Sequence, residues 1–208
     1  MSMPAENRRR YTVEEYLAMD AASPDAKLEY RDGEIFDIRE LQGVDAQGMS
    51  GGSRWHVVIA SNLHFSLATA LRGTSCSVLG SDTRVQIPRK TLFAYPDLTV
   101  VCGSQEWEAH SGIGDTLANP KLIVEVLSPS TEAFDRGTKL HRYFEIASLK
   151  EYVLVSQFEH RVETFLRHDD GTWLLSSFTG AESHARFASL DVTLSLKDIF
   201  AGVEFPLV

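Results

Sequence analysis

An acid inside an apolar run needs an explanation, and this chain has one at Glu125, in the run Leu122-Ile123-Val124-Glu125-Val126-Leu127. Desolvating a carboxylate costs several kcal/mol unless a cation, a metal or hydrogen bonds compensate it. Glu125 therefore calls either for a partner or for a strand end that turns it to solvent. A second acid stands in a comparable place: Tyr95-Pro96-Asp97 leads directly into the β-branched run Leu98-Thr99-Val100-Val101. Proline is tolerated at the first residue of a strand, where its missing N–H costs no ladder bond. Asp97 then sits at a strand mouth, as a turn or cap residue or as a ligand. If the two strands are neighbours, both carboxylates converge at one edge and offer hard oxygens to Mg²⁺ or Mn²⁺. Downstream, Asp135, Lys139 and Tyr143 are spaced to share one helical face. That spacing fits either a solvated salt bridge or a cation brought to the two acids.

The elements that position these residues can be read from pattern. Thr12 with Glu15 three residues later forms a capping-box signature for a first helix, which Pro24 ends. Asp32-Gly33 between Lys27–Arg31 and Glu34–Arg39 signals a β-hairpin. Alternation places Lys27, Glu29 and Arg31 on one side, which reads as a solvent face. Residues 43–52, with four glycines, read as a loop without a phosphate-binding GK[ST]. The longest helix is expected over Ser53–Leu71, its apolar face running through Trp55, Ile59, Leu63 and Leu67, with His56 in a packing or capping role. Short strands are expected at Cys76–Leu79 and Thr83–Ile87, and 106–114 as a short helix and loop. A helix is expected over Thr131–Ala147, weakened near Gly137, and antiparallel strands across the last third.

At 208 residues the chain suits a flexible N-terminus over 1–10 followed by a single domain over 11–208. No apolar stretch approaches the roughly 20 residues of a membrane span, and no secretory signal opens the chain, so a cytoplasmic protein is expected. Cys76 and Cys102 lie in no metal-binding spacing and are expected to be buried thiols. A net charge of -9 argues against coating nucleic acid through bulk electrostatics. It is compatible with an enzyme whose acids hold a metal and whose basic groups are local. Such a rim is present over residues 134–150, where Arg136, Lys139, Arg142 and Lys150 outnumber Asp135 and Glu145.

Taken in order, Glu29 before Asp32-Gly33, Ser81-Asp82-Thr83-Arg84-Val85, Tyr95-Pro96-Asp97, Val124-Glu125-Val126-Leu127-Ser128-Pro129-Ser130-Thr131, Asp135 with Lys139, and Glu151-Tyr152 resemble the Uma-type branch of restriction endonucleases within the PD-(D/E)XK nuclease superfamily. The resemblance spans residues 11–200. It implies an α/β (α+β) fold: a restriction-endonuclease-like mixed β-sheet flanked by helices, with an N-terminal hairpin and extra antiparallel C-terminal strands. It implies Asp97, Glu125 and the Val126 carbonyl as metal ligands, Mg²⁺ as cofactor with Mn²⁺ substituting, and DNA as substrate. Glu29, Asp82, Asp135 and Tyr143 are possible accessory residues. The superfamily lysine two residues after the glutamate is replaced by Leu127, and Lys139 is the candidate replacement. A homodimer would let a single-site enzyme cut both strands. The alternative is a non-catalytic nucleic-acid-binding or interaction module on the same scaffold; a hydrolase of smaller phosphate esters is a third reading.

Overall fold

The structure, a computed structural model, describes residues 9–23, 26–38, 54–88, 91–110 and 114–205. Residues 1–8, within the expected flexible N-terminus, and the expected loop 43–52 lie outside the described residues. The first helix, α1 (Val13–Ala22), starts on the expected capping box: the Glu15 N–H donates to Thr12 Oγ1 at 3.1 Å and the Thr12 N–H to Glu15 Oε2 at 2.9 Å. The hairpin β1 (Leu28–Arg31) and β2 (Glu34–Asp37) turns at Asp32-Gly33, both at positive φ, as a primed turn requires.

Two six-stranded mixed sheets pack around a shared centre. The first runs β2-β1-β5-β4-β8-β7, adding β4 (Val85–Gln86), β5 (Leu92–Ala94), β7 (Trp107–His110) and β8 (Gly114–Leu117). The second runs β12-β11-β10-β9-β6-β3, built from β3 (Cys76–Gly80), β6 (Leu98–Cys102), β9 (Leu122–Val126), β10 (Glu151–Val155), β11 (Arg161–Arg167) and β12 (Trp173–Thr179). Among the described residues, β9 with β10 and β4 with β8 pair in parallel and the other pairs are antiparallel. A small hairpin, β13 (His184–Phe187) and β14 (Val192–Ser195), leads into α4 (Leu196–Ile199).

The two faces of β9 explain the layering. Leu122, Val124 and Val126 meet Ile59, Leu63 and Leu67 of α2 (Arg54–Ala70) in one apolar core, with Leu196 and Ile199 of α4. Ile123 and Leu127 enter a second core with Val85 and Leu92 of the first sheet and Leu140 and Tyr143 of α3, the helical segment 132–144. Glu125 alternates with the second set, so it faces the space between sheet and helix. Leu127 is 1% exposed and fills that core, which is why the position holds leucine.

Three local expectations are corrected. Residues 107–110 and 114–117 are antiparallel strands rather than helix and loop. Cys76 and Cys102 are opposite each other in the β3·β6 register and are joined as a disulfide rather than left as thiols. Segment 132–144 is not one regular helix: between α-helical Glu132–Phe134 and Leu140–Phe144 it widens to a π turn over Asp135–Lys139. No helix among the described residues is long and apolar enough to cross a membrane.

Candidate active site

The two acids that opened the sequence reading are cross-strand neighbours. The β6·β9 register pairs Leu98 with Val124, Thr99 with Ile123 and Val100 with Leu122. Extending it by one residue puts Asp97 opposite Glu125, and side chains opposite each other share a sheet face. The ladder stops there because the next residue along β6, Pro96, has no N–H to offer. The Val126 N–H donates instead to Asp97 Oδ2 at 2.7 Å. In a strand the carbonyl of a residue lies on the same edge as its N–H, so the Val126 carbonyl also faces the Asp97 side.

The helical segment supplies the cation. The π turn buries both Asp135 and Lys139, and Tyr152 holds it by donating to the Asp135 carbonyl at 3.2 Å. Lys139 Nζ lies 2.8 Å from Glu125 Oε1, 3.3 Å from Glu29 Oε1 and 3.4 Å from Asp135 Oδ1. Both sequence alternatives for Lys139 are thus present at once: it contacts Asp135 and reaches Glu125. One turn on, the Tyr143 hydroxyl donates to Glu125 Oε1 at 2.9 Å.

Glu29 is 1% exposed, contrary to the solvent face that alternation suggests. β1 is covered on both sides: α1 packs on Leu28 and Tyr30, while Arg31 lies against Phe134 of the helical segment. Both Glu29 oxygens are in use. Arg31 takes Oε2 through Nη2 at 2.7 Å, and Oε1 accepts from the Tyr95 N–H at 3.4 Å beside Lys139. Asp82 is elsewhere: its side chain is exposed, pairs with Lys27 at 2.7 Å, and lines a neighbouring groove with Ser61, His64 and Ser81.

Glu29, Arg31, His56, Tyr95, Asp97, Glu125, Val126, Thr131, Asp135 and Lys139 line a cavity with about 20 Å³ of free volume, enough for one water or ion. His56 is the residue sequence reasoning missed. It is buried, and its Nε2 lies 3.1 Å from Asp97 Oδ2. The signal was available: His56, Ile59, Leu63 and Leu67 form the buried stripe of α2, one position off the stripe drawn through Trp55.

Charge in this cavity is unbalanced. Burial pushes Glu125 well above the usual carboxylate range, and neighbouring Asp135 and Asp97 add to this against the pull of Lys139. Asp135 is raised for the same first reason, burial. Burial also opposes the Lys139 charge, but Glu125, Glu29 and Asp135 outweigh it and hold the ammonium protonated. Glu29 shows the balance tipped the other way: burial works against its charge, yet Lys139 and Arg31 hold it below the ordinary range. For His56, Asp97 overcomes desolvation and lifts the imidazole above its ordinary value.

Among the described residues, no three acid, histidine or cysteine side chains stand as a ready-made metal shell, since Lys139 occupies the centre. The donor set nevertheless suits a hard divalent cation. Asp97 and Glu125 are each held through one oxygen, leaving Oδ1 and Oε2 outside those contacts. Asp135 Oδ1 is buried without a hydrogen-bond partner. Asp135 Oδ1, without a hydrogen bond, has Lys139 Nζ at 3.4 Å, and four acids in all face Lys139, Arg31 and His56 in this cavity.

Known proteins are similar to this chain in architecture and in sequence. A crystal structure from Anabaena variabilis ATCC 29413, described as "a putative nuclease belonging to DUF820", superposes with a TM-score of 0.66 over 86% of this chain and 93% of that one. At 17% identity that likeness shows the fold. Two proteins of Synechocystis sp. (strain ATCC 27184 / PCC 6803 / Kazusa) are similar along most of their length. "Uncharacterized protein slr1290" is 32% identical, covering 94% of each chain. "Uncharacterized protein sll1609" is 30% identical, covering 87% of this chain and 94% of its own. Residues 13–207, which include every cavity residue named above, match the family model Uma2, "Putative restriction endonuclease", and the chain belongs to that family.

Proposed function

We propose that the protein is a divalent-metal-dependent endonuclease that hydrolyses DNA phosphodiester bonds. The observation that carries this reading is the convergence of Asp97, Glu125 and Lys139 in one cavity with the buried Asp135 carboxylate. The family description, a restriction endonuclease, supports DNA as the substrate class. Asp97 Oδ1, Glu125 Oε2 and the Val126 carbonyl would hold Mg²⁺, with Mn²⁺ able to substitute. The metal would supply Lewis-acid polarisation of the phosphodiester and make a bound water more acidic.

The chain's own residues do the rest. Glu125, Glu29 and Asp135 favour the charged form of Lys139, so it would act as a donor: Nζ would orient the attacking water and stabilise charge on the phosphoryl oxygens. Leu127 excludes water from the helix side and leaves that task to Lys139. Glu29 tethers Lys139, since neither of its oxygens is spare. Tyr143 fixes the Glu125 rotamer through Oε1, and His56 does the same for Asp97 through Oδ2.

Nicking of supercoiled DNA in Mg²⁺ or Mn²⁺ tests the reading. Wild type is expected to nick, and Asp97→Ala, Glu125→Ala and Lys139→Ala to lose activity by at least about 100-fold. Activity that survives in purified Asp97→Ala or Glu125→Ala protein would place the chemistry elsewhere. The buried leucine at 127 favours a second reading, a non-catalytic DNA-binding module, which predicts wild-type binding with no nicking in either metal.

A further inference from the structure

Arg31 lines the same cavity, and the chemistry above gives it no task. It is the last residue of β1, with its side chain 17% exposed, where Glu29 beside it is 1% and Lys139 is 6% exposed. Those values place Arg31 toward the mouth and Lys139 at the floor. The guanidinium is held on several sides. Nε and Nη2 approach Glu29 Oε2 at 3.3 and 2.7 Å. The rings of Phe134 and Phe36 lie 3.6 and 4.4 Å from Cζ, close enough for cation–π contact with both.

None of these contacts uses Nη1. A guanidinium fixed in its plane, partly open, with a spare terminal amine beside a metal-suited cavity is built to bind an anion. Lys139 and the Tyr95 N–H serve Glu29 Oε1 and Arg31 serves Oε2, and that pairing occupies Nε and Nη2 while Nη1 lies outside it.

We propose that Arg31 grips a phosphate oxygen of the polynucleotide backbone at the mouth of the cavity, with Glu29, Phe36 and Phe134 holding the guanidinium in plane. This rests on the nuclease reading and adds the residue that recruits the strand. Lysine would not suffice at this position, because an ammonium has no plane to stack and no fork to share between Glu29 and a phosphate.

The test compares wild type with Arg31→Gln, Arg31→Lys and Phe134→Leu. Binding of a fluorescein-labelled DNA oligonucleotide is followed by anisotropy across a salt series in EDTA, and nicking kinetics in Mg²⁺ are followed in parallel. Arg31→Gln is expected to weaken binding by about tenfold and to lower the slope of log K against log salt by about 1. Nicking should show a raised KM with kcat within about threefold. Arg31→Lys should keep the salt slope but not the affinity, and Phe134→Leu should weaken binding while keeping the slope. If Arg31→Gln does not fold, the Phe134→Leu and Arg31→Lys results decide the matter. Unchanged affinity and slope in the folded variants, or a fall in kcat at constant KM, would overturn the phosphate role and leave a structural partner of Glu29. A wild type that neither binds nor nicks would overturn the nuclease reading itself, and this inference with it.

Discussion

Two buried charged networks lie a few residues apart in this protein, and they are built on opposite principles. In the first, Arg84 donates to Asp20 Oδ2 at 2.6 Å, to Thr116 Oγ1 at 2.8 Å and to the Gly114 carbonyl at 2.9 Å. Tyr95 adds its hydroxyl to the same Asp20 oxygen at 2.6 Å, and the Leu28 N–H takes the other at 3.3 Å. Among these contacts one acid meets one base, and both Asp20 oxygens are in use. The second network holds Glu29, Asp97, Glu125 and Asp135 against Lys139, Arg31 and His56, with Asp135 Oδ1 lacking a hydrogen bond and 3.4 Å from Lys139. Tyr95 belongs to both, through its hydroxyl in one and its N–H in the other. A closed network fastens α1 to the first sheet. An open one gathers more acid than base around one small cavity, where the proposed metal would sit.

The contrast is broken most severely by removing a partner from the closed side. Arg84→Met strands a buried Asp20 carboxylate, side chain 8% exposed, and should cost about 3–5 kcal/mol of unfolding free energy in urea titration. A loss below about 1 kcal/mol would show that the network contributes little and that closure is not what distinguishes it.

On the open side the same kind of change should have the opposite sign. Glu125→Gln removes one of the crowded acids while keeping the shape that Tyr143 and Lys139 contact. At pH 8 in EDTA the variant should match wild type or exceed it by on the order of 1 kcal/mol. Adding Mg²⁺ or Mn²⁺ should raise the wild-type melting temperature, by the equivalent of about 2.7 kcal/mol at a hundredfold excess over Kd, and leave the variant unmoved. A variant destabilised in EDTA would mean the acids are already balanced, and the comparison between the networks would collapse.

The open network was more legible in the sequence than the closed one. Pro96-Asp97 and the acid inside Leu122–Leu127 are local signals, and each violates a local rule at a place where function accounts for it. Lys139 could be proposed because Leu127 left a gap in a known pattern, but its reach to Glu125 depends on a π turn that spacing does not announce. Glu29 was misplaced because alternation in a four-residue strand says which residues share a face, not what covers that face. His56 was lost to a one-residue shift of the α2 stripe, where Trp55 was the more conspicuous hydrophobe. The pairing of Cys76 with Cys102 needs the β3·β6 register, and Asp20 with Arg84 joins residues 64 apart; neither leaves a local trace.

The smallest expected effect concerns how Asp20 is delivered. It sits near the C-terminal end of α1, whose other end is fixed by the Thr12–Glu15 capping box. The Thr12 N–H, and then Arg9, hold the Glu15 carboxyl below its ordinary value of 4.5. A carboxyl with a depressed folded pKa contributes stability above its unfolded pKa, and that contribution fades as pH falls through the folded value. Wild type should therefore lose this contribution only below about pH 4.5, while Glu15→Gln should lack it throughout and show a flatter acid limb in melts between about pH 6 and pH 3. Thr12→Ala removes the other half of the box and should cost about 1 kcal/mol at neutral pH. Because α1 gives Asp20 to the closed network and no side chain to the cavity, both changes should leave the metal-induced rise in melting temperature intact. If either reduced that rise, the two networks would have to be coupled through Tyr95.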